Sequence, residues 1–169
     1  MTAGSDSVGN ESAGSDSAGR ESVGRGSAGD DGRRGSIERF GSDGPWEGVY
    51  GYSRVVRAGD LLVTAGCTAT VDGLVTDVGD PRAQTLTAFR IALDALAAAG
   101  APLDDVIRTR MYITDPDHAD ATGRAHGELF GSVRPAATLV VVARLLHPDH
   151  LVEVEVEAYV GGRPRTVLV

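Results

Sequence analysis

The chain has 169 residues and a net charge of −8, and its 16 basic side chains are all arginine. The lack of lysine excludes a lysine Schiff base or general base, and the negative charge argues against a general nucleic-acid binder, which needs a basic face to displace counterions. A single cysteine, Cys67, excludes an intrachain disulfide and fits a reducing cytoplasm, and no stretch is apolar and long enough to cross a membrane.

Residues 1–35 do not read as a domain. Ser7-Val8-Gly9, Ser12-Ala13-Gly14, Ser17-Ala18-Gly19, Ser22-Val23-Gly24 and Ser27-Ala28-Gly29 recur every five residues, with Asp, Glu, Asn and Arg between them. That period matches neither helix nor strand, and no large apolar side chain is available to offset the entropy of ordering. A disordered tail is expected. A secretory leader needs an apolar core of about seven residues, which is missing, so a cytoplasmic protein is expected. Residues 36–162 are the expected folded domain and 163–169 a second tail.

Within the domain, Ser36 to Phe40 suits either a short strand or merely the end of the tail. Tyr50 to Arg57 and Asp60 to Gly66 suit two strands joined at Ala58-Gly59, and Cys67 to Thr76 a small hairpin turning at Asp72-Gly73. Asp80 as N-cap, Pro81 at the first helical position and Gly100 as stop frame the clearest helix, with Leu86, Phe89, Leu93 and Leu96 as its apolar stripe.

Val106 to Thr114 reads as a strand with Val106, Arg108, Arg110 and Tyr112 on one face, and its alternation is imperfect at Thr109. Asp115 or Asp117 caps a second helix ending at Phe130-Gly131. Ala136 to Ala143 is apolar on both faces, and a strand of that kind needs both covered. Leu151 to Tyr159 alternates strictly, with Val152, Val154, Val156 and Ala158 opposite Glu153, Glu155, Glu157 and Tyr159. The order predicts an α+β domain: a mixed sheet with two helices on one face and the other face bare. A bare apolar face predicts a closed homo-oligomer.

Glu153, Glu155 and Glu157 stand about 6.6 Å apart on one face, and three like charges in a row call for nearby cations. Arg108, Arg110 and Arg144 are the candidates. A strand face laced with ion pairs explains the row, and so does a carboxylate held in a cleft as general base. His147 and His150 flank a Pro-Asp turn, and His118 and His126 lie two helical turns apart. Surface or interface roles are expected for these, and no metal site. Cys67 suits a small buried residue. No phosphate-binding glycine loop or Gly-x-Ser-x-Gly elbow is present.

Gly51-Tyr52-Ser53, the strand Asp60 to Gly66, Asp105-Val106-Ile107-Arg108-Thr109, Glu128-Leu129-Phe130, Arg134-Pro135-Ala136, Val142-Ala143-Arg144-Leu145 and Glu153-Val154-Glu155-Val156-Glu157-Ala158 together resemble the Rid/YjgF family of reactive-intermediate deaminases, also known as endoribonuclease L-PSP-like proteins. The resemblance runs from about Tyr50 to Tyr159. It implies a chorismate-mutase-like two-layer fold and a homotrimer with clefts between subunits. It also implies hydrolysis of imine or enamine acids to keto acids and ammonia without metal or organic cofactor.

By the same resemblance Glu155 and Tyr52 are the catalytic residues and Gly66 lines the substrate site. The family's carboxylate-clamping arginine falls at Ala137, and its frequent cysteine at Leu139. Thr138 lies between them, and its backbone helps orient the substrate. An alanine cannot imitate a bidentate charged clamp. Either standard imino-acid turnover is lost or another cation has moved in. Arg124, which falls where many members carry a helix asparagine, is one candidate, though a surface role also suits it. A divergent imine/enamine hydrolase is the leading expectation, with a small-molecule substrate and no nucleic-acid or membrane partner. A non-catalytic trimer that senses a metabolite is the alternative, and RNA cleavage, the family's older label, a third.

Overall fold

The computed structural model describes residues 36–42 and 44–161. The described residues all belong to one compact unit. The tails expected at 1–35 and 163–169 lie outside the described residues.

The elements, in chain order, are β1 (Ile37–Phe40), α1 (Glu47–Tyr50), β2 (Val55–Ala58), β3 (Leu61–Thr64), β4 (Cys67–Thr68), β5 (Thr70–Val71), β6 (Leu74–Val75), α2 (Pro81–Ala98), β7 (Val106–Ile113), α3 (Ala119–Phe130), β8 (Ala136–Val141) and β9 (Val152–Tyr159). The main sheet runs β1-β2-β3-β9-β7-β8, with β4 also paired to β9. Only β7 and β8 are parallel in it; the other pairings are antiparallel, so the sheet is mixed. Helices α2 and α3 pack together, and α2 lies on β9, β3 and β4.

The strict alternation of β9 translates directly into this layering. Val152, Val154, Val156 and Ala158 are buried under the helices, beside Phe89, Ala92, Leu96, Met111, Ile113 and Phe130. The helix stripe is finer than its leucines suggest. Ala88, Phe89, Ala92 and Leu96 are fully buried, whereas Leu93 and Leu86 are partly exposed. Small side chains let the helix approach the sheet, and Phe89 meets Phe130 of α3 edge to face at 5.0 Å.

Four sequence expectations need correction. The strand expected from Tyr50 starts only at Val55, because Glu47–Tyr50 forms one helical turn closed by Gly51 at φ 71°. In β7, Val106 does not share a face with Arg108: the register shifts between them, Val106 is 3 % exposed and Ile107 46 %. That bulge is the reason Thr109 broke the alternation, since beyond it Thr109, Met111 and Ile113 all face the helices. His126, expected at the surface or an interface, is half-buried within the chain. It bonds Thr109 Oγ1 at 2.9 Å and stacks on Phe130, and burial holds its pKa below the usual imidazole value. Lastly, β8 is an edge strand whose side chains stay largely exposed within one chain, Leu139 alone packing against the core.

The Asp72-Gly73 hairpin is as expected, with both residues at positive φ (51° and 78°). Gly131 ends α3 for a different reason than a left-handed cap. Its φ is −57°, but a Cβ there would lie 2.7 Å from the Gly127 carbonyl oxygen.

Candidate functional site

The face of the sheet turned away from the helices carries a row of charged side chains. On β7 and β9 the register sets Arg108 opposite Glu157, Arg110 opposite Glu155 and Tyr112 opposite Glu153. Two arginines therefore meet two of the three glutamates. Arg110 Nη1 donates to Glu155 Oε2 at 3.2 Å and lies 2.8 Å from Glu157 Oε1, with Arg108 4.0 Å from Glu157 on the other side. Tyr112 leans across and donates its hydroxyl to Glu155 Oε2 at 3.2 Å. Burial, then the Glu155 charge, pushes the Tyr112 phenol upward. Oε2 of Glu155 takes both bonds, leaving Oε1 for a water or substrate.

Glu153 has no such partner. Its side chain lies over Gly66, where a Cβ would collide with Oε1. Burial, then the neighbouring Glu155 charge, raises its pKa, and the more distant Arg54 only moderates the rise. Arg54 is the hub of this corner. It donates to the Gly66 carbonyl at 2.9 Å and to Cys67 Sγ at 3.4 Å, touches Tyr52 Oη at 3.4 Å and lies 3.8 Å from Glu47. Glu47 in turn ties α1 down through Ser42 Oγ at 2.6 Å. Cys67 is 2 % exposed, and burial raises its thiol pKa, which suits a packing role.

Next to Glu153 the segment linking β8 to β9 folds over a concavity of about 710 Å³ lined by Thr114, Ala143, Arg144, Leu145, Leu146, His147, Pro148, His150 and Glu153. Two anchors hold that segment. Val142 N–H donates to Ile113 O at 2.8 Å, and the buried Gln84 amide donates to Asp149 O at 2.7 Å while accepting from Leu151 N–H at 2.8 Å. His150 Nε2 meets Thr70 Oγ1 at 2.9 Å, and burial keeps its pKa low.

The sequence candidates are thus only partly brought together. Tyr52 and Gly66 share Arg54, and Glu155 lies one row away on β9. On β8, Thr138 is opposite Arg110 and so lies in the Glu155 row, whereas Ala137 and Leu139 are opposite Thr109 and Met111 on the helix side. Arg124 is 73 % exposed on α3 and bonds Asp120 at 2.8 Å, apart from this group. Arg54, Tyr112 and the isolation of Glu153 escaped the sequence reading. No signal in the sequence gave the last, because it depends on the register of β7 against β9. Among the described residues no three His, Cys, Asp or Glu side chains are grouped to hold a metal ion.

A mixed sheet with two helices on one side and a charged face on the other is the architecture of a recognised group of small α+β proteins. The family model described as Endoribonuclease L-PSP matches residues 46–160. The chain belongs to this family, known also as Rid/YjgF. It is 45 % identical over 127 residues to the uncharacterized protein SCO2049 of Streptomyces coelicolor, covering 75 % of this chain and 95 % of that one. Against the RutC family protein PH0854 of Pyrococcus horikoshii, identity is 34 % over 110 residues, 64 % of this chain and 86 % of the relative. The crystal structure of Rv2704 of Mycobacterium tuberculosis, a YjgF/YER057c/UK114 family member, superposes with a TM-score of 0.67 at 42 % identity, covering 74 % of this chain and all of that one.

Proposed function

We propose that the protein hydrolyses a reactive imine or enamine metabolite to a carbonyl compound and ammonia, in clefts between subunits of a homotrimer. The observation that carries this reading is Glu155: a partly buried carboxylate fixed through one oxygen by Arg110 and Tyr112, with its second oxygen left to order a water. In this reading Thr138, opposite Arg110 on β8, and the Tyr52–Arg54–Gly66 corner supply surfaces against which a flat C=N group lies. Family membership supports the reaction class. The exposed β8 edge, with Val140 and Val141 40 % and 52 % exposed, supports assembly that completes the cleft.

Purified protein given freshly generated 2-iminobutyrate, and separately a neutral imine, is expected to accelerate carbonyl release from at least one of them. Glu155→Ala is expected to remove most of that acceleration. Unchanged turnover in Glu155→Ala sinks the assignment. Binding of a metabolite without turnover, seen as a ligand-dependent rise in melting temperature, supports the non-catalytic alternative that the alanine at position 137 raises.

A further inference from the structure

Three serines near the start of the chain stand two residues after an arginine: Ser22 in Arg20-Glu21-Ser22-Val23, Ser27 in Arg25-Gly26-Ser27-Ala28 and Ser36 in Arg33-Arg34-Gly35-Ser36-Ile37. Only Ser36 has a second arginine ahead of it, and Arg33-Arg34 is the one pair of adjacent arginines in the chain. It is also followed by the largest of the three apolar neighbours, Ile37. Two guanidiniums ahead of a hydroxyl can each grip a carboxylate in the substrate groove of an arginine-directed enzyme, and the apolar residue after it fixes the register.

The structure leaves this serine accessible and gives it a neighbour able to hold an anion. Ser36 and the first three residues of β1 are exposed, and β1 is an edge strand that pairs with β2 alone. Few pairings resist its local release into a kinase groove. The Ser36 hydroxyl donates to Glu38 Oε1 at 3.1 Å, and the two side chains share one face of the strand. The register places Arg57 of β2 opposite Glu38, on that same face. Arg57 nevertheless has no carboxylate partner among the described residues. Its Nε donates instead to the Gly59 carbonyl at 2.9 Å, while Gly59 N–H donates to the Ser36 carbonyl at 3.4 Å. The guanidinium is thus drawn toward the residue that lies across from Ser36.

We propose that Ser36 accepts phosphate from an arginine-directed serine kinase, and that the phosphate bridges to Arg57 and fastens the start of β1. In the transfer, the Ser36 hydroxyl oxygen bonds to the γ-phosphorus of MgATP as the bond from that phosphorus to the β–γ bridging oxygen breaks. ADP leaves with the electron pair, and the hydroxyl proton passes to the kinase's base. The product carries about two negative charges at neutral pH. It repels Glu38, whose hydrogen bond from Ser36 is lost with the hydroxyl proton. It attracts Arg57, whose Nη donors suit phosphate oxygens in parallel pairs. The modification is independent of the hydrolysis reading, since none of these residues belongs to the Glu155 group.

The test incubates the full chain with MgATP and the catalytic subunit of cyclic-AMP-dependent protein kinase, an arginine-directed serine kinase, and locates phosphate by tandem mass spectrometry. Ser36 is expected to be modified about tenfold or more faster than Ser22 and Ser27, and the double variant Arg33→Ala, Arg34→Ala is expected to erase that advantage. Phosphorus NMR of the product then reads the contact with Arg57. The second ionisation of the phosphate is expected at lower pH in the wild type than in Arg57→Gln, with Arg57→Lys between them, because a neighbouring cation favours the dianion. No phosphate on Ser36, a preference for Ser22 or Ser27, or an advantage that survives in the double arginine variant overturns the acceptor assignment. Equal titration in the wild type and Arg57→Gln overturns the bridge.

Discussion

Glu153 sits where burial and a neighbouring carboxylate both disfavour its charge, and this has a consequence for stability. From the ordinary glutamate range near about pH 4.3 up to its raised value, the folded chain holds a proton that the unfolded chain has lost. Stability therefore falls as pH rises through that window and levels off above it. Burial and then Glu155 set the size of the effect, and Arg54 works against it. Glu153→Gln lacks the titration, so its stability relative to wild type is expected to increase with pH between about 4 and 8, as urea unfolding would read it. A constant difference across that range contradicts the burial of the charge. Thr109 offers a second residue-scale test. It is fully buried and bonded to His126, so Thr109→Val strands an imidazole nitrogen and is expected to cost about 1–3 kcal/mol by chemical denaturation.

At the scale of elements, α2 does two jobs. Its N-terminus is capped by Asp80, whose side chain accepts from Ala83 N–H at 3.0 Å, and its buried face seats β9. Through Gln84 it also fixes the segment that roofs the concavity, since that amide meets Asp149 O and Leu151 N–H. Gln84→Leu fills similar volume yet leaves the Leu151 N–H and Asp149 C=O unpaired. A loss of about 2 kcal/mol is expected, with faster hydrogen exchange at Leu151 than at Val154. Exchange unchanged at Leu151 means the roof is held by something else. Asp80→Ala is expected to cost about 1 kcal/mol without disturbing that amide. The bulge at Val106–Arg108 is the other decisive element, because it turns Arg108, Arg110 and Tyr112 onto the face of the glutamates.

For the whole molecule, the open question of covering is concentrated at β8. This strand lies at the sheet edge with its outer backbone groups unpaired by the main sheet, and Val140 and Val141 stand exposed beside it. An edge of this kind is a ready site for pairing. Under the proposed function, light scattering at micromolar concentration is expected to return three times the chain mass. Val140→Lys, which puts a charge on the Tyr112 side of the strand, is expected to shift the mass toward a single chain and to reduce imine turnover with it. The mass of one chain for the wild type removes the intersubunit cleft from the proposal.

The alternation of Val152 to Tyr159 and the caps of Pro81–Ala98 carried enough local information to define the layers, because periodicity alone sorts side chains between two faces. The Tyr52, Gly66 and Glu155 candidates were legible only through resemblance, since a carboxylate in an ion-pair row and one in a cleft share the same spacing. What needed the tertiary structure was register. A single bulged residue in β7 decides which glutamates meet arginine and which meets tyrosine, and no local pattern encodes a partner strand. The placing of Arg144 near Glu153 and of His126 against Thr109 is of the same kind. Both depend on segments distant in sequence being brought together by burial of the common core.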